Sequence, residues 1–252
     1  MTSTAIAGAA ADCGQCPHRD NLLEAGRCNP ADACARSSSG RLMDRFFRAN
    51  PDMAEDYAAD ECWERRAVAA RYLSQPALEG LLGDPDEVVR RVLAYRLPPD
   101  RLDALISDSD REVRITVADR LPLDRLEVLV DDEDYLVRKY VARRLLPGRL
   151  FRMLADSDRE VRLVVAERIP HASLGLLADD PEPEIRRAVA ARIDTPGLLR
   201  MSEDPDWRVR YIVASRLPDD MLQRMAHERD ADIRHLLETR LDARPITGDL
   251  ES

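Results

Sequence analysis

The sequence predicts an all-α solenoid in which each repeat holds one α-helix and one very short helix, with no sheet. A small N-terminal metal-binding module precedes it. Three observations lead there. Eight copies of one pattern run from about Cys62 toward the C-terminus at a fixed period of 24 residues. An arginine marks every copy, at Arg66, Arg90, Arg114, Arg138, Arg162, Arg186, Arg210 and Arg234; six residues later stands a second, from Arg96 to Arg240, with Tyr72 in its place in the first copy. Four of the five cysteines crowd into a segment ahead of the repeats. A strict short period means units that bury their apolar faces only by stacking on neighbours.

The first 60 residues do not repeat. They carry Cys13, Cys16, Cys28 and Cys34, spaced C-x2-C-x11-C-x5-C. Two cysteines three apart turn both thiolates toward one metal, and a second pair closes a four-ligand set. Zinc favours two tight knuckles, and the second pair here is looser. A [4Fe–4S] cluster accepts wider spacing, and Cys16-Pro17 matches the Cys-Pro of the bacterial ferredoxin run. Spacing alone leaves zinc and the cluster both open. His18 is a minor further candidate ligand. Cys62 falls at the junction with the first copy, where packing is the expected role and ligand replacement the alternative. Residues 44–49 (DRFFRA) and the stretch after Asn50-Pro51 read as helices. Phe46, Phe47, Tyr57 and Trp63 are expected to pack the module onto the end of the stack.

One clean copy is DPDWRVRYIVASRLP, from Asp204 to Pro218. Asp204 reads as the N-cap and Pro205 as the first helical residue, where a missing N–H costs nothing. Asp206 lies where the helix dipole favours negative charge, and Pro218 stops the helix. That gives about three and a half turns. In the second copy Val89, Val92, Leu93, Ala94 and Leu97 fall on one arc at about 100° per residue. The alanine row from Ala94 to Ala214 lets neighbouring helices approach closely. A leucine row from Leu78 to Leu222 has an apolar partner three residues on, which suits one turn of 3₁₀ or α-helix. An ordinary leucine-rich repeat needs an alternating strand, and a HEAT or armadillo unit needs about 40 residues. Neither fits.

Both arginine rows fall inside the apolar arc, while the position after the first arginine varies: Arg91, Ile115, Lys139, Leu163, Arg187, Tyr211, His235. Acidic rows run from Asp84 to Asp204 and from Asp86 to Asp206. A buried unpaired charge is too costly. The arginines are therefore expected to bond caps and carbonyls of their own or the next copy and to fix register. A polyanion groove is the rival reading.

These residues resemble the leucine-rich repeat variant family, whose 24-residue repeats read D-x-x-V-R-x-x-V-A-x-R-L-P-x-x-x-L-x-x-L. The resemblance covers about Cys62 to Asp242. It implies a right-handed solenoid alternating α- and 3₁₀-helices without strands. Terminal copies depart from the pattern, with Cys62, Trp63 and Tyr72 in the first and Glu238 for the small alanine in the last, as capping copies do. Some members carry an N-terminal cysteine module holding a [4Fe–4S] cluster. The resemblance thus implies Cys13, Cys16, Cys28 and Cys34 as its ligands. The expected organisation is a cysteine module over 1–60, eight repeats over 61–242 and a flexible tail over 243–252.

Composition bounds the function. Charged residues make up 34% of the chain, against about 25% in ordinary domains. The net charge of −10 argues against nucleic acid, which needs a basic stripe to displace counterions. Lys139 is the only lysine, and arginine suits fixed ion pairs. No apolar run approaches the roughly 18 residues of a membrane helix, and the start lacks a signal-peptide pattern. A soluble, cytoplasmic protein is expected, in which cysteines serve metal before disulfides. No phosphate-binding loop, dinucleotide fingerprint, zinc-protease or nucleophile-elbow motif occurs. The expected function is a non-enzymatic iron–sulfur protein that binds a protein partner through its repeats, with a cluster that is redox-active or senses redox state or iron. The alternatives are a scaffold with a structural zinc or iron–sulfur module, an iron–sulfur enzyme with an open iron site, which four cysteine ligands oppose, and nucleic-acid binding through the arginine rows.

Overall fold

Residues 12–242 are described in the computed structural model, and their regular structure is helical. Among the described residues the β-pairing is a single antiparallel bridge between Asn29 and Ala33. The chain divides into two compact units, Met1–Pro122 and Leu123–Ser252. The first therefore joins the cysteine segment to the first copies of the repeat. The tail at 243–252 lies outside the described residues.

The first unit holds α1 (Gly40–Ala49), α2 (Trp63–Ala69), the short α3 (Gln75–Glu79), α4 (Glu87–Arg96) and α5 (Arg111–Arg120). Helix α1 packs on α2, α2 on α4, and α4 on α5. The second unit holds α6 (Tyr135–Arg144), α7 (Arg159–Arg168), α8 (Pro183–Ala190), the short α9 (Thr195–Arg200), α10 (Trp207–Arg216) and α11 (Ala231–Asp242). There α6 packs on α7, α7 on α8, α8 on α10, and α10 on α11. Between the long helices run 3₁₀ segments such as Pro99–Leu105, Pro147–Met153, His171–Leu177 and Asp219–Met225. In two copies the short piece is instead a brief α-helix, with Pro76 and Pro196 near its start.

The long helix starts two residues later than the sequence reading places it. Asp206, not Asp204, caps α10, its carboxylate accepting the Arg208 N–H at 2.8 Å. Asp86, Asp134 and Asp158 cap their helices in the same way. The helix spans 10 residues, just under three turns. It stops at a leucine in extended geometry followed by proline, as at Leu97-Pro98, because proline disfavours helical geometry in the residue before it. Val89, Leu93, Ala94, Leu97 and Leu102 are fully buried, and the same positions are buried in later copies. Val92 is half-buried.

The charged rows are structural. The first arginine of a copy forms a two-pronged pair with the acid 18 residues on: Arg90 Nε and Nη2 reach Asp108 at 2.8 and 2.9 Å, and Arg186 reaches Asp204 at 2.7 and 3.0 Å. Its Nη1 donates to a carbonyl of its own copy, Asp84 for Arg90 and Asp180 for Arg186. The acid in turn accepts the N–H two residues on, as Asp204 does from Asp206. The second arginine points backward: Arg96 donates to the carbonyls of Ala70 and Leu73 at 2.8 and 2.9 Å. Those are carbonyls at the end of the preceding helix, which have no partner within it and carry the negative end of its dipole. Tyr72 departs from this row because α1 precedes it, and its hydroxyl donates to the Asp44 carboxylate at 2.9 Å instead.

Glu228 takes the acid's place for Arg210, at 2.8 and 3.0 Å. Hydrogen bonding from Arg210 outweighs burial and holds its carboxyl down at about 2. A pKa lowered on folding adds stability above the ordinary glutamate range, about 4.3, and loses it as pH falls toward the folded value. Thermal melts between pH 6 and 2.5 are expected to show a smaller acid loss in Glu228→Gln than in the parent. Parallel pH profiles would remove Glu228 from the acid transition.

Candidate metal centre

The CGQC run is a single 3₁₀ turn over Cys13–Gln15. Asp12 caps it, accepting the Gly14 N–H at 2.8 Å. A Cβ on Gly14 would lie 3.0 Å from that carboxylate, so glycine permits the close turn. A π-helical turn over Arg19–Leu23 follows and buries Leu22. Gly26, at φ 68°, takes the left-handed geometry that glycine tolerates. The chain then reverses, and the N–H groups of Arg27 and Cys28 donate to the Leu22 carbonyl at 2.8 and 3.2 Å.

The loose C-x5-C pair closes by a backbone device. Asn29 and Ala33, the residues just inside Cys28 and Cys34, donate N–H groups to each other's carbonyls, both at 2.8 Å. The Asn29 side chain accepts from Ala31 at 2.9 Å and shapes the turn between. The Cys34 N–H donates to Leu42 O at 3.1 Å, which ties the second pair to α1.

The four thiols share one electrostatic neighbourhood. Burial, then the charges of Cys16, Cys34 and Cys13, pushes the Cys28 thiol above its ordinary range. Burial raises Cys34 most, against hydrogen bonds from Arg36 and Ser37, with Cys16 and Cys13 adding to the rise. Among the described residues no three His, Cys, Asp or Glu side chains converge on the centre of a single ion. All five cysteines are free of disulfides. Cys62 stands apart at the N-cap of α2, its Sγ donating to Glu64 Oε2 at 2.9 Å. His18 is buried, with its Nε2 held 2.7 Å from the Tyr57 hydroxyl. Burial lowers the His18 pKa and raises that of Tyr57.

An aromatic core backs the loops. Phe46, Phe47 and Tyr57 are buried, and they pack mostly edge to face with centroids 5.2 to 6.3 Å apart. Phe47 also stacks on Tyr72 of the first copy. The expected docking of module onto repeats is thus visible, although Trp63 is only half-buried.

Sequence reasoning missed Asn50. It is fully buried at the end of α1, and its Nδ2 donates to the carbonyls of Phe46 at 2.9 Å and Arg27 at 3.0 Å. It therefore clamps the residue before Cys28 to the aromatic helix, while its Oδ1 is buried without a partner. The sequence cue was an asparagine ahead of Pro51, which reads only as a helix boundary. Groups that orient ligands typically carry a 10–100-fold share of metal affinity. Asn50→Ala is expected to release bound metal to a chelator about tenfold faster, with the melting of the repeats little changed. Unaltered release would make Asn50 a packing residue only.

Comparison with known proteins agrees with this anatomy. The family model for the LRV protein FeS4 cluster matches residues 6–56. A solved structure described as a leucine-rich repeat variant with a novel repetitive structural motif superposes with a TM-score of 0.86 at 52% identity, covering 93% of this chain and 100% of that one. An uncharacterized 27.7 kDa protein in the nifB 3′ region of Rhodobacter capsulatus is 40% identical over 91 residues. That match spans 36% of this chain and 37% of the relative's length. Fold and cysteine segment together define a helical-repeat protein with an N-terminal metal module. The chain belongs to the leucine-rich repeat variant family.

Proposed function

We propose that the protein is a non-enzymatic, cytoplasmic iron–sulfur repeat protein in which Cys13, Cys16, Cys28 and Cys34 hold a [4Fe–4S] cluster and the repeats bind a protein partner. The observation that carries this reading is that all four cysteines lie inside the segment matching the FeS4 cluster family, with Cys28 and Cys34 both feeling the charges of Cys13 and Cys16. The family match and the loose C-x5-C pair favour a cluster over zinc, which prefers two tight knuckles. Such a cluster supplies one-electron chemistry when bound, with a potential set by hydrogen bonding and exposure. The chain's own part is to position and shield. The Asn29–Ala33 bridge and the Gly26 reversal set the thiol-bearing loops, and Phe46, Phe47 and Tyr57 exclude water behind them. Cys28 and Cys34 must give up protons that burial makes harder to release, so loading is favoured by higher pH.

The absence of any catalytic sequence motif supports a binding role. Among the described residues no helix is long and apolar enough to cross a membrane. Thiols of this kind persist in a reducing compartment, which supports the cytoplasm. The test is metal and sulfide analysis with a visible spectrum on protein purified without oxygen. About four iron and four sulfide per chain with a broad brown absorption are expected. A colourless protein with one zinc would replace this reading with a structural zinc module. Reversible reduction of the bound cluster, or partner affinity that changes with its state, is the further expected result; neither would leave the cluster structural.

A further inference from the structure

We propose that a groove formed by α8, α10 and α11 binds an acidic protein segment bearing an aromatic or large apolar side chain. This deepens the partner-binding reading above and rests on it. The groove has a volume of about 770 Å³, and its walls include Arg187, Trp207, Arg208, Tyr211, Asp232 and His235. It lies wholly within the second unit.

The repeat register explains why this place differs from the rest. The residue after the first arginine of a copy meets, in the next copy, the residue 21 positions on. Lys139 there meets Glu160 at 2.8 Å. Arg91, with Glu112 at that position, is neutralised two residues earlier by Asp110, both prongs at 2.8 Å. In the copy that holds α8, the residue 21 positions on from Arg187 is Arg208 instead of an acid, and both line the groove. The aspartate that would take Arg187 by analogy with Arg91 is Asp206, and it is already engaged. It caps the Arg208 N–H at 2.8 Å and lies 3.5 Å from the Arg208 guanidinium. Arg187 is exposed and has no carboxylate partner among the described residues. This step thus puts two arginines on one groove, where the steps at Arg91 and Lys139 give the cation an acid partner. An incoming carboxylate finds Arg187 exposed and without a carboxylate partner.

The other wall is aromatic. Trp207 and Tyr211 stay 43% and 41% exposed in a chain with only 4% aromatic residues. The Arg208 guanidinium lies over the indole, 5.4 Å from its centroid, which presents a flat cationic and aromatic surface together. The register places the acidic Asp232 beside Tyr211, so the positive charge of the groove sits with Arg187 and Arg208. Arginine, tryptophan and tyrosine are the residues that anchor protein interfaces. Charge selects the occupant. The chain carries −10 overall, so an acidic partner is repelled elsewhere and attracted here, which fixes where it docks. Nucleic acid would face the same overall charge along its whole length.

The test uses the full chain with its native metal and labelled peptides. Acetyl-Glu-Glu-Phe-Glu-Glu-amide is the probe, with an alanine-for-phenylalanine version and a lysine-for-glutamate version as controls. Saturable binding of the first, weaker binding of the second and none of the third are expected. Arg187→Glu is expected to weaken binding about tenfold or more without lowering the melting temperature, since it pairs with Arg208. Trp207→Ala should weaken binding as well. No saturable binding of the acidic phenylalanine peptide, or equal binding by Arg187→Glu, overturns the proposal. Preference for oligothymidylate over the peptide also overturns it. A photo-crosslinker at Tyr211 and another at Phe151, an exposed repeat residue that does not line the groove, used in cells, separate the two readings. Protein adducts at 151 but not 211 overturn the groove and leave partner binding standing. Adducts at neither remove both.

Discussion

Replacing Asp204 with alanine is expected to destabilise the second unit by about 3–5 kcal/mol, the range for stranding one member of a buried ion pair. Arg186 and Asp204 are each only 9% exposed. The Asp204 carboxylate takes two prongs from Arg186 and the Asp206 N–H at 2.8 Å. Truncation leaves Arg186 with its bonds to the carbonyls of Asp180 and Pro181 but with two buried N–H groups unanswered. Asp206→Ala, which removes an ordinary N-cap, should cost only about 1 kcal/mol. The contrast matters because both aspartates sit in the same DPD triplet, and only the first is held by another repeat. Adding Arg186→Met to Asp204→Ala should recover part of the loss, because no charge is then left stranded. Urea unfolding of the four proteins measures this directly. A cost for Asp204→Ala below about 1 kcal/mol would make the row a set of solvated surface pairs.

The same triplet shows how much of the fold was legible. Period, apolar arc and the alternation of long and short helices follow from local spacing, and the structure has them. The helix start did not follow. Asp204 and Asp206 are equally good caps on paper, and Pro205 between them reads as a first helical residue. The choice is made by Arg186, 18 residues away, which takes Asp204 for itself. A contact between repeats overrides a local preference. The direction of the second arginine row was hidden for the same reason, since Arg96 reaches back to Ala70 and Leu73. In the cysteine segment, spacing picked out four thiols that all lie within the stretch matching the FeS4 cluster family, and family resemblance pointed to a cluster. What spacing could not show is how a five-residue gap closes. Asn29 and Ala33 act through backbone atoms and Asn50 through its side-chain amide, once each, and a pattern that occurs once leaves no period to read.

Cys34→Ala is expected to abolish stable metal binding while leaving the repeats folded. Cys34 is the most buried of the four thiols, at 7% exposure. Its backbone N–H bond to Leu42 is unaffected by the change, so the loop stays tied to α1 and only the sulfur is lost. Three thiolates hold a four-iron cluster with one iron open to solvent. Iron and sulfide should therefore fall well below about four per chain after aerobic handling, with loss of visible colour. Helix content by circular dichroism should hold, because the leucine and alanine rows of the repeats lie elsewhere. Cys62→Ala is the matched control: its thiol is committed to Glu64, and the variant should keep its full metal content. If Cys34→Ala keeps its iron and Cys62→Ala loses it, the ligand set passes to Cys62 and the second loop is structural. If both keep it, the metal is held elsewhere. Retained helix content with lost iron would place the cluster outside the forces that fold the repeats. The module would then be free to gain and lose its cluster with supply, which a sensor of iron or redox state requires.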